Sequence, residues 1–167
     1  MADLQAAIGF VLRQEDGTLS GVITQTPDGR RTRFGIDEHF HPELASCLFY
    51  DSMGSIAALK IAEGIYAKQY CEPLCIAEIS DQEIANKLLS LGVNCGVGTA
   101  SRMLQEALEV HGDGRIGPIT LDALDRTRPD LVLGRLRELA MEHYEELIQR
   151  NNGLAVYRAG WLKRAEA

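Results

Sequence analysis

Apolar residues recur at helical spacing along nearly the whole chain, and a single stretch near the start departs from that rhythm. A chain built this way must stack amphipathic helices on one another, with whatever small β element it has placed to one side. Leu4, Ile8, Val11 and Leu12 fall on one helical face, so residues 2–14 read as a helix, and Glu15 continues that face until Asp16-Gly17 breaks it. Residues 20–36 carry the β signal. Val22-Ile23-Thr24 leads into a Pro27-Asp28-Gly29 turn and a return through Arg31–Ile36, which together predict a hairpin. Alternation along the returning strand places Arg30, Thr32 and Phe34 on one face, and Arg31 and Arg33 on the other.

Beyond the hairpin, residues 37–50 read as irregular. Residues 52–70 read as a helix with Ile56, Leu59, Tyr66 and Tyr70 near one face, ended by Pro73. Ser80-Asp81-Gln82-Glu83 has the form of a capping box opening a helix through Leu91. Gly92, Gly96 and Gly98 mark a tight connection to a helix over 99–110. Pro118 suits the first position of a short helix to Thr127. A long helix over 130–151 is expected to bury Leu131, Leu136, Leu139, Ala140, Tyr144 and Leu147, and a short closing helix carries Trp161. The expected fold is therefore mainly α with one small N-terminal β-hairpin, in a single domain. Residues 1–90 would form a lobe holding the hairpin, and residues 91–167 a helical lobe.

Composition narrows the function. A chain of 167 residues can bury a full core without disulfides or metal. Its formal charge of −7 argues against a nucleic-acid binder and against docking on anionic membranes. No stretch approaches the roughly 18 apolar residues of a membrane span. The N-terminus lacks the basic start and cleavage site of a secretory signal, so synthesis in the cytoplasm is expected. Cys47, Cys71, Cys75 and Cys95 read as reduced, mostly buried thiols, with disulfides open in an oxidising compartment. Cys71-x3-Cys75 lacks the second pair that a zinc site needs, and Asp37-Glu38-His39-x-His41 matches no common metal spacing, so it reads as a solvated loop. No metal or cofactor is called for.

Glu15 is the carboxylate with most chemical promise. A carboxyl set against apolar side chains loses hydration, which favours the neutral form that a glycosidase needs to protonate a leaving oxygen. On periodicity alone, a solvated glutamate at a helix end is the better reading.

Several short motifs, in order, resemble glycoside hydrolase family 108, the lysozyme-like muramidases. Glu15-Asp16-Gly17 is similar to that family's E-G-G at the end of a helix. Gly29-Arg30-Arg31-Thr32-Arg33-Phe34-Gly35-Ile36 is similar to its G-G-x-T-x-x-G-I hairpin. Ala62–Tyr70 resembles its A-x-x-I-Y-x-x-x-Y helix, and Val93-Asn94-Cys95-Gly96 with Ala100 and Leu104-Gln105 resembles its V-N-x-G…A…L-Q segment. Asp113–Leu121 resembles its D-G-x-x-G-P-x-T-L loop, and Gly160-Trp161-Leu162-x-Arg164 its closing G-W-L-x-R. The sequence departs from the pattern at Asp16 and Arg30, which stand where the family has glycine. The stretch from Glu15 to Thr32 is longer than usual, and the nearest second carboxylate, Asp28, is displaced into the turn.

The resemblance implies a lysozyme-like fold and cleavage of the β-1,4 bond between N-acetylmuramic acid and N-acetylglucosamine in peptidoglycan. Glu15 would be the acid and Thr32 would line the cleft beside it, placed to hold a water. Asp28 is the candidate second carboxylate. Asn94 and Gln105 either bond sugar acetamido groups or buttress the Gly92–Gly98 turn. Asp113 and Thr120 either contact glycan or serve turn and helix-start chemistry. The alternatives are a non-catalytic peptidoglycan-binding module and an intracellular helical interaction protein. An enzyme made without a signal fits two settings. One is a phage endolysin with a holin-like release partner. The other is a toxin exported by a secretion machine and held in check by an immunity protein.

Overall fold

The computed structural model describes residues 1–26 and 28–167; Pro27, placed by sequence in the hairpin turn, lies outside the described residues. Helix α1 spans Leu4–Glu15. Asp3 starts it by accepting the backbone N–H groups of Gln5 and Ala6 at 2.8 and 3.1 Å. Its buried stripe is Ala7, Ile8, Val11 and Leu12, the face anticipated from periodicity. The expected hairpin is a three-stranded antiparallel sheet of β1 (Thr24–Gln25), β2 (Arg31–Arg33) and β3 (Ile36–Asp37). Residues 37–50 are less irregular than expected, because Asp37 closes β3 and Pro42–Cys47 form a 3₁₀ turn.

Helix α2 spans Ser55–Tyr66 and runs on into a wider π-type turn over Ala67–Cys71. Ile56, placed on its apolar face by sequence, is 79% exposed; Ala58, Ala62 and Tyr66 make the buried stripe instead. Helix α3 spans Gln82–Cys95. Asp81, rather than Ser80, caps it by accepting the N–H groups of Glu83 and Ile84 at 2.9 and 3.0 Å. It continues past Leu91 through Gly92, which is a point of close packing and not a turn. A Cβ there would stand 2.5 Å from Leu74 Cδ1. The chain turns at Gly96, with φ of +87°, into α4 (Val97–Ala107).

Helix α5 (Pro118–Arg126) begins on its proline as expected, and α6 (Pro129–Arg150) follows. Leu131 is 59% exposed on the first turn of α6, while Leu136, Leu139, Ala140 and Tyr144 are buried and Leu147 is half-buried. Helix α7 (Arg158–Glu166) folds back along α6. Trp161 stacks between Tyr144 and Tyr157, with centroids 5.1 and 5.7 Å away. Helix α3 is the hub, packing against α1, α4 and α6. Buried side chains form one continuous core from Ala7 to Ala165. The architecture is mainly α with one small sheet, as the lysozyme-like reading requires. No helix among the described residues is long and apolar enough to cross a membrane.

Candidate functional site

Glu15 is the last residue of α1, and the chain must turn sharply after it. Asp16 organises that turn. Its carboxylate accepts Gly21 N–H at 2.7 Å, Thr18 N–H at 3.3 Å and the Thr18 hydroxyl at 3.1 Å, with Ser20 also in reach. Burial opposes ionisation of Asp16, but these hydrogen bonds outweigh it and hold the carboxyl below its ordinary range. An aspartate where the resembling family has glycine thus acts as a loop staple.

The sheet reaches Glu15 through a two-residue turn. In register, Thr32 faces Asp37 and Arg33 faces Ile36, leaving Phe34 and Gly35 between the strands. Both have positive φ, +51° and +75°. A tight hairpin asks for that conformation at both central positions. Gly35 also lies directly against Glu15. A Cβ on it would be 2.7 Å from the Tyr66 hydroxyl and 2.9 Å from Glu15 Cγ. The Tyr66 hydroxyl donates to Phe34 O at 3.0 Å, fixing the turn against α2. Burial, and then the nearby Glu15 charge, push this phenol well above its usual range, so it remains a neutral donor.

This turn also revises the expected alternation. Strand β2 ends at Arg33, so Phe34 does not continue its two-residue rhythm, and Arg33 and Phe34 are both buried. Arg33 is satisfied internally. It donates to Gly21 O at 2.7 Å, Phe49 O at 2.9 Å and Met53 O at 2.8 Å, strapping three loops together beneath the sheet. Thr32 is half-buried, and its hydroxyl lies 2.7 Å from that of Thr24 on β1.

Glu15 opens into a cleft of about 410 Å³, within the range of about 300–1,000 Å³ typical of small-ligand sites. Gly35, Ile36, Phe40 and His41 form one wall. Ile65, Tyr66, Gln69 and Tyr70 form a second, the π-type turn carrying the last two. Val93 and Asn94 of α3 and Arg164 of α7 complete it. The Arg164 guanidinium donates to Glu15 Oε1 at 2.9 Å, and 22% of the Glu15 side-chain surface stays exposed. Arg164 is itself held from behind. The Lys87 ammonium, on a side chain only 2% exposed, donates to Arg164 O at 2.9 Å and also to Ala165 O, where the backbone of α7 ends. Cations at a helix C-terminus meet the negative end of its dipole.

The cleft thus gathers two residues singled out from sequence, Glu15 and Asn94. Asn94 Oδ1 accepts the Tyr144 hydroxyl at 3.2 Å. Thr32 is not among the lining residues, nor is Asp28. Asp28 sits at the β1–β2 connection with 60% of its side chain exposed and pairs with Arg30 at 2.8 Å. The Thr26 hydroxyl, chiefly, keeps its carboxyl ionised below the ordinary range.

Gln105, Asp113 and Thr120 come together elsewhere. Gln105 donates to Asp113 Oδ1 at 2.7 Å and Arg115 O at 2.9 Å, and accepts Gly114 N–H at 2.9 Å. It therefore buttresses the 113–115 loop and not the Gly92–Gly98 turn. Gln105 and Thr120 are buried, and with Asp113 they border a separate cavity of about 260 Å³.

Sequence marks Arg164, Tyr66 and Gly35 only as members of motifs, or, for Tyr66, of a helix face, and places His41 in a solvated loop. Glu38 of that loop pairs with Arg31 at 2.7 Å. Among the described residues no group of three His, Cys, Asp or Glu side chains is placed to hold a metal ion. All four cysteines are free: Cys47 is exposed, Cys71 buried, and Cys75 and Cys95 half-buried, so fewer are buried than expected.

Comparison with known proteins adds two findings. Residues 99–166 match a family described as "Predicted Peptidoglycan domain". The fold is similar to that of the solved "Structure of Brucella abortus SagA", with a TM-score of 0.73 over 97% of this chain and 88% of that one, at 19% identity. No curated protein matches the sequence.

Proposed function

We propose that the protein hydrolyses the β-1,4 bond between N-acetylmuramic acid and N-acetylglucosamine in bacterial peptidoglycan, with Glu15 as general acid. The observation that carries this reading is the placement of Glu15 in the open cleft with aromatic side chains around it. Arg164 fixes Oε1, so Oε2 is the oxygen that would present a proton to the leaving glycosidic oxygen. Tyr70 and Phe40, the latter 72% exposed, supply ring faces on which the apolar side of a sugar can stack. Asn94 is suited to an acetamido group. The match of residues 99–166 to a peptidoglycan family supports the polymer as ligand. Displacement at the anomeric carbon passes through an oxocarbenium-like state and is completed by a water or a second carboxylate on the opposite face. The first lobe would supply the acid and the second the tether and polymer contacts. The site of action would be the cell wall, reached through release or dedicated export.

Glu15→Gln keeps the shape and removes the proton. Incubated with purified peptidoglycan, the wild type is expected to release soluble muropeptides. The variant should be slower by about 10²–10⁴-fold, the worth of general acid catalysis, with unchanged thermal unfolding. Equal release by both proteins would remove Glu15 from the reaction.

A second reading, a non-catalytic peptidoglycan-binding module, is favoured by one observation: the Glu15 carboxylate is already engaged by Arg164. The same assay separates the two, because a binder sediments with peptidoglycan and releases nothing.

A further inference from the structure

A second groove of about 460 Å³ lies between α1 and α7, on the far side of Arg164 from the Glu15 cleft. Arg164 borders both, so the two lie side by side with its side chain between them. The groove carries Arg13 and Lys163 beside Arg164, with Phe10, Gln14 and Ala167, whose main-chain carboxylate is its one acidic group. Elsewhere most arginines on this surface are neutralised: Arg30, Arg31, Arg126, Arg128, Arg135, Arg150 and Arg158 all pair with carboxylates. Among the described residues, Arg13 and Lys163 have no carboxylate within 4.0 Å. Gly9 leaves room for the Arg13 side chain to lie back along α1, since a Cβ there would stand 3.4 Å from its guanidinium.

We infer that this groove binds the anionic stem peptide of peptidoglycan. The inference rests on the proposal that the polymer occupies the Glu15 cleft. A muramic acid next to the scissile bond carries its peptide on a lactyl group, so the peptide must leave the cleft close to the acid. The groove begins at the Arg164 that tethers that acid. A stem offers free carboxylates, on its D-glutamate and at its C-terminal D-alanine, to match two unpaired cations. Its alanine methyl groups match Phe10. Arg13 and Lys163 would therefore select peptide-bearing glycan over stripped glycan without touching the reacting bond.

The test uses wild-type protein and two soluble probes: the disaccharide N-acetylglucosaminyl-N-acetylmuramic acid bearing a tetrapeptide stem, and the same disaccharide with the stem removed. Neither contains the bond proposed to be cleaved. NMR titration is expected to show tighter binding of the stem-bearing probe by about fivefold, as two exposed ion pairs would supply. An Arg13→Glu, Lys163→Glu double variant should lose the difference while keeping its affinity for the bare disaccharide. A stem amidated at D-glutamate should bind the unaltered protein more weakly than the free acid. Equal affinities for the two probes, a preference that survives charge reversal, or indifference to amidation would each overturn the inference. Release of muropeptides from whole peptidoglycan is scored separately. Stem preference without release ends the hydrolase reading and keeps the groove, whereas release without stem preference does the reverse.

Discussion

Replacing Lys87 with Met puts the support of the candidate acid to the test. The side chain is 2% exposed, and desolvation, with Arg137 of α6 adding repulsion, lowers its pKa from 10.5 to about 8. A shift of that size holds about 3 kcal/mol against the folded state at neutral pH. Against it stand two hydrogen bonds from a charged donor to the carbonyls of Arg164 and Ala165, each contributing about 1.5–3 kcal/mol. The two effects nearly cancel. Met, of similar length and without charge, removes both, so global stability should change by less than about 3 kcal/mol. Local order is another matter. Without the clamp, the last turn of α7 loses its anchor, and Arg164 loses its fixed place on Glu15. Muropeptide release should then fall by about tenfold with little change in binding of bare disaccharide. Denaturant unfolding from pH 7 to 10.5 gives an independent check. The folded-state pKa of Lys87 is depressed. Between about 8 and 10.5 the unfolded chain therefore holds a proton that the folded one has shed, and wild-type stability gains with rising pH relative to the Met variant. Below that window the penalty is fully present and the difference is flat. Wild-type activity in Lys87→Met, or a loss above about 5 kcal/mol, would refute the reasoning.

Gly35→Ala should cost about 1–2 kcal/mol from positive φ alone, and more because its Cβ would press on the Tyr66 hydroxyl and Glu15 Cγ; release of muropeptides should drop far more than the melting temperature suggests. Thr32→Ala should reduce activity more than Asp28→Asn, since Thr32 ties β1 to β2 through Thr24 whereas Asp28 is an exposed turn residue; the reverse order in rates would make Asp28 the second carboxylate. A thiol reagent at pH 8 should label Cys47 rapidly and Cys71 only on unfolding, because burial raises the Cys71 thiol to about 12; mass spectrometry of the labelled peptides reads this directly.

The parts of the molecule legible in the sequence are those governed by local rules. The stripe of α1 follows from 3.6-residue spacing and the start of α5 from a proline; α3 begins inside the predicted capping box, but with Asp81 and not Ser80 as its cap. The departures occur where tertiary contacts override such rules. Phe34 could continue β2 by alternation, but the turn over Glu15 forces it to positive φ. Gly92 reads from sequence as part of a tight connection, but it makes room for Leu74 inside a helix. Helical spacing places Leu131 and Ile56 in the core, yet each lies exposed near the start of its helix. In the site, Glu15 is legible from the ordered motifs that follow it, because an apolar stripe ending in a carboxylate also fits a solvated helix end. Its partner Arg164, 149 residues away, is not, since spacing along the chain says nothing about such a pair. One signal was available. Lys87 falls on the same α3 face as Ile84 and Leu88, and a lysine on an apolar stripe calls for a buried acceptor.

The pairing of Glu15 with Arg164 also sets a clock. A contact closing a loop of nearly the whole chain forms late, because its entropy must be met by the packing of everything between. On a ribosome, which releases residues from the N-terminus onward, α1 and the sheet can assemble long before α7 emerges to meet them. During that interval the nascent chain carries its candidate acid without the cation that orients it. The site proposed for catalysis is thus complete only once residue 164 has been added and has folded back onto Glu15.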